Sequence, residues 1–465
     1  MQKWEQIQGV YIHTPFCLQK CLYCDFASYA GADTETMEKY VDAVCSEIMM
    51  RSNEVTIADQ ATLYFGGGTP SLLSEKLLAK LVEALQKNGC WLQPAEATIE
   101  VNPGTADLDK LRFFKDLGFD RISFGVQSLN DAELRAVGRI HTANEALDAI
   151  TMAEKAGFTR VSADLIYGLP EQSLQTLKTS LQNLTAAGLQ HLSVYGLTIE
   201  KNTPLAGMLD KGKVELPDED CQLAMYELVQ EYLEAQGLHR YEISNYAVSG
   251  QESRHNLVYW HYLPYLSFGS SACSFNGSQR FTATDSVTDY IESIQSGKSC
   301  GGFEDLTKEM QLSEYLFMGL RTTVGIDLIE TEQRFGCDVM LEFGVELEKF
   351  IRGNLVFCDI DDWFLPNRFE TSLYYLKNAD IVVNNLNIVG EHRERLCDRY
   401  FSFSIDTSIV IDSNYLKDKN LLGLSNTAIK VQEKALVEFP KDISIGDWYY
   451  YSICAERGLT IVYCD

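Results

Sequence analysis

Up to about residue 200, short apolar runs alternate with longer amphipathic stretches. The runs are GVYIHT (9–14), ATLYFGGG (61–68), ATIEVNP (97–103), RISFGVQS (121–128), RVSADLIYG (160–168) and HLSVYGLTI (191–199). Their length and their content of Val, Ile, Phe and Tyr suit strands. Between them, EKLLAKLVEALQKNG (75–89) has apolar residues at helical spacing and ends on a glycine, as a helix C-cap favours. EALDAITMAEKAGF and SLQTLKTSLQNLTAAGL repeat that design. Six strand–helix alternations predict a parallel sheet, either open or curled into a partial barrel, because parallel neighbours need a crossover between them. A full eight-unit barrel needs two further repeats, and the pattern does not supply them.

In either architecture ligands gather at the carboxyl ends of the strands, and the chemistry-bearing residues fall there. After the first run, YIHTPFCLQKCLYCDF puts Cys17, Cys21 and Cys24 within eight residues at C-x3-C-x2-C spacing. Three thiolates on so tight a loop fill three corners of a cubane iron–sulfur cluster and leave the fourth iron open. A structural zinc site is the rival; it wants four closed ligands, and the residue after Cys24 is Asp25. Three unrelated buried cysteines are the remaining alternative. The second run ends in FGGGTPS, where Gly66, Gly67 and Gly68 either let a ligand approach the backbone or make a tight turn. It lacks the lysine of a phosphate-binding P-loop. The third, fourth and fifth strands are expected to end at Glu100, Gln127 and Asp164. Each alone is an ordinary strand-end polar group; together they fall where one cavity collects them.

On the cysteine loop and the segments GGGTP, IEVNP, SFGVQS, GRIH and DLIYGLP, the chain resembles the radical S-adenosylmethionine (SAM) superfamily. In that superfamily the open iron is chelated by the amino and carboxylate groups of SAM, and an electron from the cluster splits the sulfonium to a 5′-deoxyadenosyl radical. Within it, the stretch is similar to the branch that holds oxygen-independent coproporphyrinogen III oxidase and HemW-type heme chaperones. The oxidase pattern carries a further cysteine two residues after the third; Phe26 stands there, as in the HemW pattern. The resemblance implies that Cys17, Cys21 and Cys24 bind a 4Fe-4S cluster. It also implies that Gly67, Gly68, Thr69, Glu100, Gln127, Arg139 and Asp164 help hold SAM. Carboxylates and an amide suit ribose hydroxyls, and an arginine suits a carboxylate. Tyr11 and Tyr23 match aromatic positions near cluster and SAM, with core packing as the alternative for both.

RYEISNYA (240–247) and ESRHNLVYW (252–260) are also HemW-type segments, and they suggest one polar–aromatic patch of His255, Arg254, Tyr259 and Trp260. The His255 imidazole is either a heme ligand or, on the preferred reading, a hydrogen-bonded structural residue. Where the family commonly reads Ala-His-Ser, this chain reads FGSSACSF with Cys273 in the histidine's place, and a thiolate can also ligate iron. Residues 305–352 are similar to the start of the family's small helical C-terminal domain. After Gly353 the texture changes. An apolar strand runs into Asp359-Ile360-Asp361-Asp362 and then Leu365-Pro366-Asn367-Arg368, resembling the metal-binding centre of family-2 glycosyltransferases, and Asp447 falls at an acceptor-side position. Only the second half of such a fold is present.

The implied fold class is therefore α/β. A radical SAM partial (β/α)6 barrel occupies 1–230, a HemW-like C-terminal region with a small helical domain 231–352, and a fused α/β fragment resembling half of a GT-A fold 353–465. The function expected is a heme chaperone that binds a 4Fe-4S cluster and SAM and passes heme, its cargo, to apo-proteins. The alternative is an oxygen-independent coproporphyrinogen III oxidase of porphyrin biosynthesis, which decarboxylates propionates. A third reading is a sugar transferase working through the tail.

Composition narrows the partners. A formal charge of −27 among 465 residues leaves little cationic surface for phosphate backbones, which argues against nucleic acid. No window approaches a membrane span, and MQKWEQIQGV is unlike a signal peptide, so a cytoplasmic protein is expected. Thirteen cysteines without a secretory leader suit a reducing compartment with free or metal-bound thiols.

Overall fold

The computed structural model of the chain describes residues 4–91 and 94–352. The six predicted strands are all present: β1 (Trp4–Thr14), β2 (Val55–Gly67), β3 (Ala97–Val101), β4 (Arg121–Gln127), β5 (Arg160–Tyr167) and β6 (His191–Gly196). They lie side by side in chain order and are parallel throughout. The helices between them are capped by their own sequence. Glu75–Lys87 starts at Ser74, whose hydroxyl accepts from Leu77 N, and buries Leu77, Leu78, Leu81, Val82 and Leu85. Ala143–Lys155 starts on a reciprocal Thr142/Glu145 capping box. The glycines that end the three predicted helical stretches, Gly89, Gly157 and Gly188, all have positive φ with open space around the Cβ position. They are there for the backbone turn, not for room.

The strands alternate in an instructive way. In β4, Ile122, Phe124 and Val126 are fully buried within the core that the helices complete. The intervening residues form a polar interior. Arg121 donates to Ser162 Oγ (3.0 Å), Ser162 to Ser123 Oγ (2.8 Å), and Ser123 to Asp164 Oδ1 (3.2 Å). One face of the sheet is thus an apolar core, and the other is a hydrogen-bonded lining.

Two expectations change. The parallel set has a seventh member, β7 (Tyr265–Phe268), which pairs with β1 at Gly9↔Tyr265 through Ile12↔Phe268. Antiparallel strands Cys273–Phe275, Gln279–Ala283 and Gly301–Asp305 extend the sheet beyond it, and Asn245–Ala247 and His239–Arg240 extend it past β6. The chain divides between Ile326 and Asp327, so the boundary expected at 230/231 falls inside the first unit. The physical reason is the β1–β7 pairing, which builds residues after 231 into the same sheet. Helix Lys308–Gly319, at the start of the expected C-terminal domain, is tied to the sheet by Glu314, which takes both Arg280 Nη2 bonds (2.6 and 2.7 Å) and the Tyr262 hydroxyl (2.9 Å). The second unit is described over helices Leu328–Phe335 and Val339–Arg352. The glycosyltransferase-like features, Asp359, Asp361 and Asp447 included, lie outside the described residues. Among the described residues no helix is long and apolar enough to cross a membrane.

Candidate functional site

At the carboxyl ends of β1–β5 lies a cleft enclosing about 710 Å³ of empty space, part of it open to solvent. Its lining includes Cys17, Cys21, Tyr23, Cys24, Gly67, Gly68, Thr69, Glu100, Gln127, Arg139 and Asp164. Every residue expected to bind cluster or SAM is there except Tyr11.

The cysteine loop is anchored before the first thiol. Phe16–Cys17 pairs with Tyr29–Ala30 as a two-residue parallel ladder, and Lys20 Nζ donates to Phe26 O (2.8 Å). All three thiols are free of disulfides. Burial pushes the Cys17 thiol up, and hydrogen bonds from Thr69 and Ser28 partly offset it. Thr69 donates to Cys17 Sγ (3.7 Å), and Arg139 Nη1 to Cys21 Sγ (3.5 Å). Among the described residues no group of three or more His, Cys, Asp or Glu side chains is arranged to hold a metal ion. A multi-iron cluster takes one thiolate per iron and does not ask its cysteines to converge on one point.

The glycine run works through protein packing. A Cβ on Gly67 would lie 2.6 Å from the His13 ring, and one on Gly68 would lie 2.7 Å from Phe16 O. The glycines let the second βα turn close against the cysteine loop. Gly67 also has φ +109° and donates its N–H to Glu100 Oε2 (3.1 Å). His13 was not singled out from the sequence, although it sits in the same YIHTPF stretch. Its Nε2 bonds Ala27 O (3.1 Å), which can only accept, so Nδ1 receives the Tyr11 hydroxyl (3.1 Å).

Two carboxyls face the cleft. Burial, with Asp164 nearby, raises Glu100 to about 7, against hydrogen bonds from Tyr64 (2.8 Å) and Gly67. Burial likewise raises Asp164, while Ser193, Arg121, Ser123 and Arg139 pull it down. Asp164 lies in the middle of β5, three residues short of its end, and reaches the cleft from within the polar lining. Gln127 closes β4 with φ +67° and still pairs with Leu165 of β5 after a register irregularity that follows Phe124. Arg139 Nη2 is bound to Asn102 Oδ1 (2.8 Å) and to Gly125 O, while its buried Nε has no partner. Thiols, carboxyl oxygens, an amide and a partly satisfied guanidinium around one space fit a polar, zwitterionic ligand beside an inorganic group.

Tyr11 is packed among other rings. Its ring lies 6.1 Å from Tyr64 and 6.4 Å from His255, near-parallel to both, and its hydroxyl is on His13. It supports Tyr64 and His13, which in turn hold Glu100 and Gly67. Tyr23 does line the cleft, with its ring packed by Val137, Ile166 and Leu169. The expected His255–Arg254 patch splits across a helix. Arg254 is exposed, whereas His255 is fully buried, with Nδ1 on Thr62 Oγ1 (2.7 Å) and Nε2 on the Tyr259 hydroxyl (2.8 Å). Burial takes that imidazole down to about 3, and ligating an iron would require one of its bonds to open. Cys273 accepts from the Tyr265 hydroxyl (3.9 Å) and Thr282 (3.8 Å), away from the cleft lining.

Comparison with known proteins fits this architecture. A model of the radical SAM superfamily matches residues 11–184, and a model of the HemN C-terminal domain matches 306–365. The heme chaperone HemW of Bacillus subtilis is 35% identical over 335 residues, 71% of this chain and 87% of its own. That of Lactococcus lactis is 32% identical over 351 residues, 76% and 91% of the two chains. Among solved structures, the coproporphyrinogen III oxidase of Escherichia coli overlays with a TM-score of 0.65 over 76% of this chain and 84% of that one, at 22% identity, a likeness of fold. Sequence identity along almost the whole of these chaperones, on a sheet and cleft of the kind the motifs imply, places the chain in the HemW family of the radical SAM superfamily.

Proposed function

We propose that the chain is a heme chaperone whose barrel cleft binds a 4Fe-4S cluster and SAM. The observation that carries the reading is the convergence of Cys17, Cys21 and Cys24 with Glu100, Gln127, Arg139 and Asp164 on one cleft. Cys17, Cys21 and Cys24 would hold the cluster, which when bound supplies one-electron chemistry to SAM. Glu100, Gln127 and Asp164 offer acceptors and an amide for hydroxyl groups, and Arg139 offers a cation for a carboxylate. Gly67, Gly68 and Thr69 bring backbone and hydroxyl alongside, and Tyr23 walls the loop. Tyr11 acts at one remove, through His13 and Tyr64.

The cargo is argued from the relatives, which are named heme chaperones. Leu18, Phe26 and Ile140 by the cleft are 57%, 68% and 57% exposed, apolar surface that suits a planar hydrophobic ligand on its way to an apo-protein. The test is anaerobic heme titration of the cluster-loaded full chain, followed at the Soret band. Saturable, near-stoichiometric binding is expected. Absence of specific binding overturns the chaperone reading, and coproporphyrinogen turnover is then the measurement to make. Truncation after residue 352 tests the division of labour along the chain: SAM binding is expected to survive it.

A further inference from the structure

Asn102 also lines the cleft. It follows the last residue of β3 in the segment Asn-Pro-Gly-Thr, which closes as a turn. Thr105 N and Oγ1 donate to Asn102 O (3.1 and 2.6 Å), with Pro103 next and Gly104 at φ +82°. That is the type II signature, proline then a left-handed glycine, and it holds the Asn102 backbone stiffly. Its amide is used at both ends. Nδ2 donates to Thr69 Oγ1 (2.7 Å), and Oδ1 accepts from Arg139 Nη2 (2.8 Å). Thr69 and Arg139 are the groups that donate to Cys17 Sγ and Cys21 Sγ. Two of the three thiols are therefore joined by a continuous chain, Cys17–Thr69–Asn102–Arg139–Cys21, with one amide at its centre.

The polarity of that chain is determined by the donors. With an Asn102 N–H on its lone pair, the Thr69 hydroxyl has its own hydrogen free for the Cys17 sulfur. With Nη2 held by Asn102 and Gly125 O, the rigid guanidinium plane turns Nη1 to Cys21. We propose that Asn102 is a positioning residue that sets, through Thr69 and Arg139, the hydrogen bonds received by two of the three cysteines, and with them the reduction potential of the cluster they would hold. This rests on the reading that these cysteines carry a cluster. Hydrogen bonds to cluster sulfurs favour the reduced, more negative state, so their loss lowers the potential.

The test uses the full chain reconstituted with iron and sulfide and titrated with dithionite without SAM, followed by electron paramagnetic resonance. Asn102→Ala is expected to keep its iron and to lower the reduced fraction about tenfold at fixed potential, a shift of about 59 mV for one electron. Thr69→Ala should give part of that shift, and the double variant no more than Asn102→Ala alone. Unchanged potential and spectrum in an iron-replete Asn102→Ala protein overturns the proposal, as does a fully additive double variant. If Asn102→Ala takes up no iron, Thr69→Ala decides: an unshifted potential refutes, a negative shift supports. Failure of the wild-type chain to take up iron would instead overturn the cluster reading itself.

Discussion

Glu100 is an acid in a site that resists its charge, and its titration is expected to appear in stability. Its carboxyl is raised from 4.5 to about 7, mainly by burial. Because the folded-state value lies above the unfolded one, the protonated acid's contribution is fully present below pH 4.5 and is lost as pH rises through about 7. At about 1.36 kcal/mol per pH unit, the loss between pH 5 and pH 8 comes to about 2.5 kcal/mol. Glu100→Gln removes the charge and keeps an oxygen for the Tyr64 hydroxyl or Gly67 N–H, which otherwise bind Oε1 and Oε2. Thermal midpoints of the cluster-free variant and wild type, taken in parallel at pH 5 and pH 8, should diverge with pH. The variant should gain on the wild type by about 5 °C between the two, at ~2 °C per kcal/mol for a chain of this size. Asp164 works in the same sense, because a neutral residue at position 100 removes the charge repulsion between the two carboxyls. An equal gap at both pH values, or one that moves in favour of the wild type at pH 8, would refute the claim that the cleft disfavours the Glu100 carboxylate.

Three further outcomes follow from the same geometry. Cys17→Ala, Cys21→Ala and Cys24→Ala should each lose the brown chromophore and bound iron after anaerobic reconstitution; retention in any of them removes that thiol from the cluster. Gly67→Ala combines a left-handed backbone with a Cβ 2.6 Å from His13, so it should cost about 2 kcal/mol or more and lower the melting point by several degrees. Glu96 is fully buried and binds Arg160 Nη2 (2.6 Å) with the first N–H groups of helix Arg254–Trp260. Glu96→Ala leaves Arg160 with only Asp120 Oδ2 (3.5 Å) and Glu252 O (3.1 Å), takes the acceptor from the helix N–H groups, and should destabilise by about 2 to 3 kcal/mol, with Glu96→Gln recovering part of it, read by melting and limited proteolysis.

Much of the site was legible because its chemistry is concentrated. Three cysteines on one loop and polar residues at or near successive strand ends point to one cleft before any contact is known. The neighbours of Tyr11 are not legible in the sequence: its ring lies against Tyr64 and His255 through strand registers set by pairing. Asn102 was missed because a strand-end asparagine before proline reads as turn chemistry, and its second role depends on partners 33 and 37 residues away. His255 is the hydrogen-bonded structural residue that the sequence favoured, but its partners Thr62 and Tyr259, which hold both its nitrogens, are set by tertiary packing and helix spacing.

The sequence by itself determined the six parallel strands, their helices and caps, and the residue types at the cleft, since hydrophobic period, capping boxes and glycine positions are local properties. The seventh parallel strand, Tyr265–Phe268, was decided only by tertiary structure. Four residues of mixed pattern carry no sign of their partner, and that partner, β1, lies some 250 residues earlier in the chain. The same long-range pairing brings Gly269 N–H onto the buried Glu47 (2.9 Å) and makes residues beyond 231 part of the sheet that carries the cleft. Local periodicity sets which elements form, and burial against distant neighbours sets which of their faces meet.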